Sequence, residues 1–331
     1  MRYRKLGTTD IEVSVVAMGC WAIVGDFTWG PQDEADSIAT IHAALDSGIT
    51  LLDTAESYGD GYSEVLLGKA LAGRRQEAVI ASKVSGNRHD LQGIRQACDE
   101  SLGRLKTDYI DLYQLHWPNW DIPFAETMGA LAKLKEEGKV RAVGVCNFGP
   151  RDLTDVLATG HVETNQLSYS LLWRAIEWEI QPLCVQNGVG ILTYSPLLQG
   201  LLTGKFATAA DVPDSRARTR HFSSARPHGR HGEPGQEAAT FAALDRIRGV
   251  CERLGLPMAE VALAWLLAQP GVTSVLAGAR HPGQIAENVK AADLELPAEA
   301  LAALSTATEP LKVALGTNPD MWQTKEKSRI R

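Results

Sequence analysis

The stretch "IDLYQLHWPNWDIPFAETMGALAKLKEEGKVRAVGVCN", residues 110–147, decides the fold. It opens on a short apolar run, "IDLYQLH" (110–116), and passes through a corner rich in Trp and Pro. It then enters "FAETMGALAKLKEEG" (124–138), whose apolar residues recur at helical spacing and which stops on Gly138. A second apolar run follows at once, "RAVGVCN" (141–147). Strand, amphipathic helix, strand is the unit from which a parallel sheet is built.

The same alternation extends in both directions. "VVAMG" (15–19), "TLLD" (50–53) and "AVIASK" (78–83) precede the quoted stretch, and "VETNQLS" (162–168), "GILTYS" (190–195) and "TSVLAG" (273–278) follow it, making eight runs. Segments such as "DEADSIATIHAALDSG" and "GIRQACDESLGRLK" supply the helices between them. Eight parallel strands, each followed by a helix, over ~250 residues predict a (β/α)₈ barrel, an α/β fold of the TIM type. The rival is a doubly wound open sheet, which would place a G-x-G-x-x-G turn after its first strand. "MGCWAIVGDFTWG" does not have that spacing. Ahead of the first strand, "YRKLGTTDIEVS" reads as a hairpin turning at Gly7 to Asp10, placed to plug the N-terminal mouth of the barrel.

The 331 residues, 44% hydrophobic, are read as a single domain spanning 1–331. A net charge of −7 argues against a nucleic-acid partner, which calls for a basic face. Five scattered cysteines, Cys20, Cys98, Cys146, Cys184 and Cys251, fit neither a zinc site nor a disulfide framework. No apolar run approaches the ~20 residues of a membrane span, and no leader follows the basic start. The expectation is a soluble, unprocessed cytoplasmic protein.

Two segments break the pattern. Residues 205–236, after the seventh strand, are rich in Pro, Gly, Ser and Arg and carry six basic residues against three acidic ones. They are expected to form either a solvated flexible loop or a mobile lid over an anionic cofactor or substrate. Residues 309–331, with a lone Trp322, are expected to be a C-terminal tail.

Polar or glycine residues close the predicted strands: Asp53, Lys83, His116, Asn147, Gln166, Tyr194 with Ser195, and Gly278. In a barrel those ends meet at one mouth, where catalytic groups of this architecture sit. Tyr58 stands just past the second strand. A phenol has a pKa near ~10, and a neighbouring ammonium such as Lys83 would lower it. Asp53 would hold Lys83, and His116 would orient a substrate oxygen beside Tyr58. Such a metal-free acid suits protonation of a carbonyl oxygen while a nicotinamide cofactor delivers hydride. The alternative is a metal held by Asp53, Glu56 and His116. It is disfavoured by the lysine and by the lack of a second histidine at helical spacing.

Taken in order, "LLDTAESYGDGYSE", "VIASK", "TDYIDLYQLHWP", "GKVRAVGVCNF", "NQLSYSLLWR", "TYSPLLQGLLTGKF" and "GARHPGQIAENV" resemble the aldo-keto reductase superfamily over nearly the whole chain. Within it the chain is most similar to bacterial reductases near the inositol-operon members and, more distantly, to potassium-channel β-subunits. The resemblance implies a (β/α)₈ barrel binding NADP(H) and a catalytic tetrad of Asp53, Tyr58, Lys83 and His116, with Tyr58 as the acid. It places Gly19 and Trp21 at the start of the cofactor site, with Asp53 also bordering it. By the same resemblance Asn147 and Gln166 would hold the nicotinamide carboxamide, and Tyr194 would stack on the ring. Ser195, Pro196, Leu197, Gln199, Gly200 and Lys205 would border the pyrophosphate. Arg280, following Gly278, would meet the adenosine 2′-phosphate, and Gln284, Glu287 and Asn288 would lie on the adenine side.

Two positions depart from the family pattern: Cys146 replaces a serine and Ala277 a proline. Both bear on cofactor binding rather than on proton transfer. Trp21, Trp117 and Trp173, with Tyr58 and His116, are the substrate-side candidates. The implied activity is NADPH-dependent reduction of an aldehyde or ketone, sugar-related carbonyls among them, to the alcohol. A cofactor-sensing regulatory subunit with little turnover is the alternative.

Overall fold

The computed structural model describes residues 1–331. Strands β1 (Tyr3–Lys5) and β2 (Glu12–Ser14) form the expected antiparallel hairpin, with Arg4 opposite Val13. Its turn needs Gly7, which has φ +58° and lies so close to the backbone of Glu163 that a side chain would collide.

Eight strands then close a parallel barrel: β3 (Val16–Gly19), β4 (Leu51–Asp53), β5 (Val79–Val84), β6 (Ile110–Leu115), β7 (Val140–Cys146), β8 (Thr164–Ser168), β9 (Gly190–Tyr194) and β10 (Val272–Gly278), with β10 pairing β3. Each lies within two residues of its sequence-based expectation. The fold is a (β/α)₈ TIM barrel preceded by a β-hairpin. Its outer ring comprises α1 (Glu34–Asp46), α2 (Tyr62–Ala70), α3 (Leu91–Leu105), α4 (Phe124–Glu136), α5 (Pro150–Leu157), α6 (Ile180–Gln186), α8 (Met258–Leu267) and α9 (Pro282–Asn288), with α7 (Glu237–Leu254) and α10 (Ala298–Leu315) packed on each other. None of these helices is long and apolar enough to cross a membrane.

Alternation along the strands divides the core in two. Inward-facing Ala17, Leu51, Ala81, Leu112, Ala142, Leu192 and Leu276 fill the lower barrel and are sealed from below by Leu6, Ile11 and Val13 of the hairpin. Outward-facing residues join the helices in a much larger cluster. With the lower barrel packed, only the end where the strands finish remains open to a ligand.

The two irregular segments are tied to each other. Residues 217–222 are buried, so that part of the 205–236 stretch is not solvated. Arg220 donates to the carbonyls of Leu315 and Asn318, and its own N–H bonds Met321 O at 2.9 Å. Arg220 also pairs with Glu233, and Arg226 with Asp214 and Glu237, so part of the positive charge of this segment is neutralised internally. The tail begins later than the sequence suggests, because α10 continues through Pro310 to Leu315.

Candidate active site

The open mouth is a cavity of about 660 Å³ lined by 30 residues. At its floor, β4 delivers Asp53 and β5 delivers Lys83, both essentially buried. The Lys83 ammonium has three N–H donors and each is used: Asp53 Oδ1 at 2.7 Å, Thr54 O at 2.8 Å and Tyr58 Oη at 3.1 Å. Because Tyr58 accepts from Lys83, its own O–H is left to donate into the cavity. Tyr58 can lean back over the strand ends because Gly59, Asp60 and Gly61 all take positive φ and reverse the chain before α2.

Aromatic rings fix the phenol from two sides. Trp21 stacks on it at 6.3 Å between centroids, and His116 meets it edge-on at 5.9 Å. The His116 Nδ1 lies 3.4 Å from Ser57 Oγ, and its Nε2 has no protein partner. Burial and then the Lys83 charge hold the imidazole well below its usual pKa, so it is neutral.

The sequence argument expected Lys83 to lower the pKa of Tyr58, and here the structure differs. Burial dominates and pushes the phenol up to about 12, with the Lys83 charge opposing it. Tyr58 is thus a retained proton rather than a phenolate. For Lys83 burial acts downward, but the Asp53 carboxylate outweighs it and keeps the ammonium charged.

Around the rim, Gln166 on β8 donates to Asp53 Oδ2 at 2.6 Å, Tyr194 on β9 donates to Asn147 Oδ1 at 2.8 Å, and Asn147 donates to His116 O at 3.1 Å. Gly19 and Gly278 end the neighbouring strands β3 and β10 in register, and both line the cavity. Asn147 and Ser195 have positive φ, which turns the chain sharply where each strand ends. Beyond β9, Leu197 is followed by Leu198, Gln199 and Gly200 with φ of 42°, 55° and 97°, a tight turn closed by Leu198 N–H on Ser195 O and Gly200 N–H on Leu197 O that sets Leu197, Gln199 and Gly200 in a concave part of the cavity wall. A side chain at Gly200 would lie 2.8 Å from Lys205 Nζ. The Gln199 amide, buried at 8% exposure, has no partner for either of its polar atoms. An unpaired buried amide beside such a concavity fits a polar ligand that completes its hydrogen bonds.

Of the expected site residues, Ser195, Pro196, Leu197, Lys205, Arg280, Gln284 and Trp117 also reach the wall. Lys83 lies beneath it, bonded to Tyr58. Glu287 is exposed and outside the wall, and Asn288 is buried behind it with its amide toward Gly278 O at 3.5 Å. Trp173 is not brought to the cavity: it is fully buried against His221 at 5.5 Å between centroids. Glu56 spends its carboxylate on Arg88 and on the Ser85 N–H, so it does not join Asp53 and His116. No three His, Cys, Asp or Glu side chains converge to hold a metal. Ala277 packs in the outer core, while the Arg280 N–H is held by Gln284 at 2.7 Å. Cys146 is buried, which pushes its thiol pKa up.

Sequence reading missed Trp29, Gln32, Asp33 and Asp36 after β3, Arg216 on the long segment, and Trp322 on the tail, all in the wall. The first four follow a barrel strand, which is a usable signal. Arg216 and Trp322 are placed by tertiary packing alone.

The aldo/keto reductase family model matches residues 15–309. The chain is 36% identical over 319 residues to the NADH-specific methylglyoxal reductase of Escherichia coli (strain K12), covering 89% of this chain and 95% of that protein. Among solved structures it superposes on the glycerol dehydrogenase of Gluconobacter oxydans with TM-score 0.80 and 34% identity, over 92% of this chain and 94% of the other. It also superposes on an aldo/keto reductase from Klebsiella pneumoniae in complex with NADP and acetate, with TM-score 0.72 and 30% identity, over 92% and 94% of the two chains.

Proposed function

This chain belongs to the aldo/keto reductase family, and from that premise we propose that it reduces an aldehyde or ketone to the alcohol with NADPH, using Tyr58 as general acid. One observation carries the reading. Lys83 uses all three of its donors, one of them on Tyr58, so the phenolic proton is directed at the cavity.

When bound, the nicotinamide supplies the hydride. The protein's part is to position and to protonate. A carbonyl oxygen seated between Tyr58 Oη and the neutral His116 accepts a hydrogen bond from each. As negative charge grows on that oxygen, Tyr58 releases its proton and Lys83 stabilises the phenolate left behind. Asp53 keeps Lys83 charged and is itself held by Gln166. Trp21, Trp29, Trp117 and Trp322 wall the substrate side and exclude water.

Along the groove, Asn147 and Gln166 would hold the carboxamide, Gln166 through its free Oε1. Tyr194 would stack on the ring, and the turn at 197–200 with Lys205 and Arg216 would take the pyrophosphate. Arg280 would meet the 2′-phosphate and Gln284 the adenine side. The NADP-bound Klebsiella neighbour supports this assignment, and the NADH-specific Escherichia relative makes the choice of cofactor a property to measure in this chain.

The test is a panel of small aldehydes, ketones and sugars assayed with NADPH and with NADH. Steady oxidation of the cofactor with at least one carbonyl is expected. Tight cofactor binding with no turnover on any of them would instead favour a sensor.

A further inference from the structure

Arg280 is not waiting free at the adenosine end of the groove. Its Nε donates to Gln32 Oε1 at 2.8 Å and its Nη1 to Trp29 O at 2.6 Å, while Nη2 donates to Pro31 O. Gln32 returns a bond from Nε2 to Arg280 O at 2.8 Å. Every nitrogen of the guanidinium already donates, and one side chain, Gln32, grips both the head group and the backbone of Arg280.

The partner segment is built to hold this position. Gly30 N–H bonds Asp26 O at 2.7 Å, closing the loop on itself. Asp26 Oδ1 accepts from the N–H groups of Thr28 and Trp29 at 2.8 and 3.0 Å. Gly25, at φ +65°, folds back so closely that a side chain there would lie 2.8 Å from Gln32 N. Asp26 Oδ2 also accepts from Trp21 Nε1 at 3.1 Å, which links this loop to the tryptophan stacked on Tyr58.

We propose that Gln32 is a cofactor-selectivity residue, whose clasp on Arg280 must be given up for a 2′-phosphate but not for a 2′-hydroxyl. The inference rests on the reading that this groove binds a nicotinamide dinucleotide. A phosphate that takes Arg280 side-on, through Nε and Nη2, displaces Gln32 and Pro31. One that takes it end-on brings its charge against the carbonyl oxygens of Trp29 and Pro31. NADH makes no such demand. Asp33 and Asp36 stand on the same wall and add repulsion toward a dianion while remaining acceptors for a ribose hydroxyl. The clasp therefore penalises NADPH selectively and brings NADH closer to it than the Arg280 motif alone implies.

The test is calorimetric titration of the wild-type protein, Gln32→Ala and Gln32→Glu with NADPH and NADH, with no substrate present. Gln32→Ala should raise the preference for NADPH over NADH by about threefold to tenfold, the scale of one released hydrogen bond. Gln32→Glu, which tightens the grip on Arg280 and adds negative charge, should lower it by a similar factor. Gln32→Ala should leave the ratio unmoved in an Arg280→Ala background, where there is no clasp left to release. If wild type binds both cofactors but the ratio is unchanged in both variants, or moves the same way in both, the clasp has no such role. If wild type binds neither, the dinucleotide reading and this inference fall together.

Discussion

Replacing Lys83 by Met is the most searching test of the site, because the ammonium is asked to do two separable things. It neutralises the Asp53 carboxylate, 2.7 Å away, and it stabilises charge on Tyr58 Oη, 3.1 Å away. At an effective dielectric of about 20, a full charge on Oη at that distance interacts with the ammonium by about 5 kcal/mol. Half-developed charge at the transition state gives about half of that, so turnover should fall between about 10²- and 10⁴-fold. The same substitution leaves a buried carboxylate supported chiefly by Gln166, which should lower stability by about 3–5 kcal/mol. Single-turnover oxidation of bound NADPH by a reactive aldehyde, read beside a denaturant melt, measures both. Asp53→Asn/Lys83→Met removes the orphaned charge and should regain most of the stability without regaining the rate. A rate loss below tenfold in Lys83→Met, or recovery of rate in the double variant, would refute the electrostatic argument.

Tyr58→Phe should leave NADPH binding nearly intact and remove most turnover, as measured by titration and steady-state kinetics on one preparation; a near wild-type rate would end the acid assignment. Acid should destabilise the fold through histidines buried in the neutral form. His89 and His221 are held down at about 4, mainly by burial, and His116 is held well below its ordinary value for the same reason. Below the unfolded value near ~6.5 the unfolded chain binds protons that the native state refuses, so stability is lost as pH falls from there toward 4, by a few kcal/mol per group. Thermal melts from pH 8 to 4 check this, and an unchanged Tm across that window would contradict the burial argument.

How far the sequence carried the argument depended on the range of the interaction behind each feature. Helix and strand periodicity is set within a few residues, so eight strands and their boundaries were readable, and with them the barrel. Strand ends in a barrel converge by topology, so Asp53, Lys83, His116, Asn147 and Gln166 were legible as one mouth before any contact was known, with Tyr58 just past the second strand, and family motifs added Arg280. Trp173 shows the limit: it reads like a pocket aromatic, and only packing against His221 from the long segment takes it into the core. Trp322 is the reverse case, a residue of the tail brought to the wall by the bonds that Arg220 makes to the chain end.

The sequence by itself determined the architecture and the meeting of Asp53, Tyr58, Lys83 and His116 at one mouth, because these follow from local pattern and from the geometry of a closed parallel barrel, while the groove residues were named by the family resemblance. The tertiary structure decided the state of those groups. Burial, summed over the whole fold, turned Tyr58 from an expected lowered pKa to one near 12. Arg280 proved to be already clasped by Gln32, a residue 248 positions away. Desolvation and hydrogen-bond competition of this kind are set by neighbours that meet only when the barrel closes, and no local pattern records them.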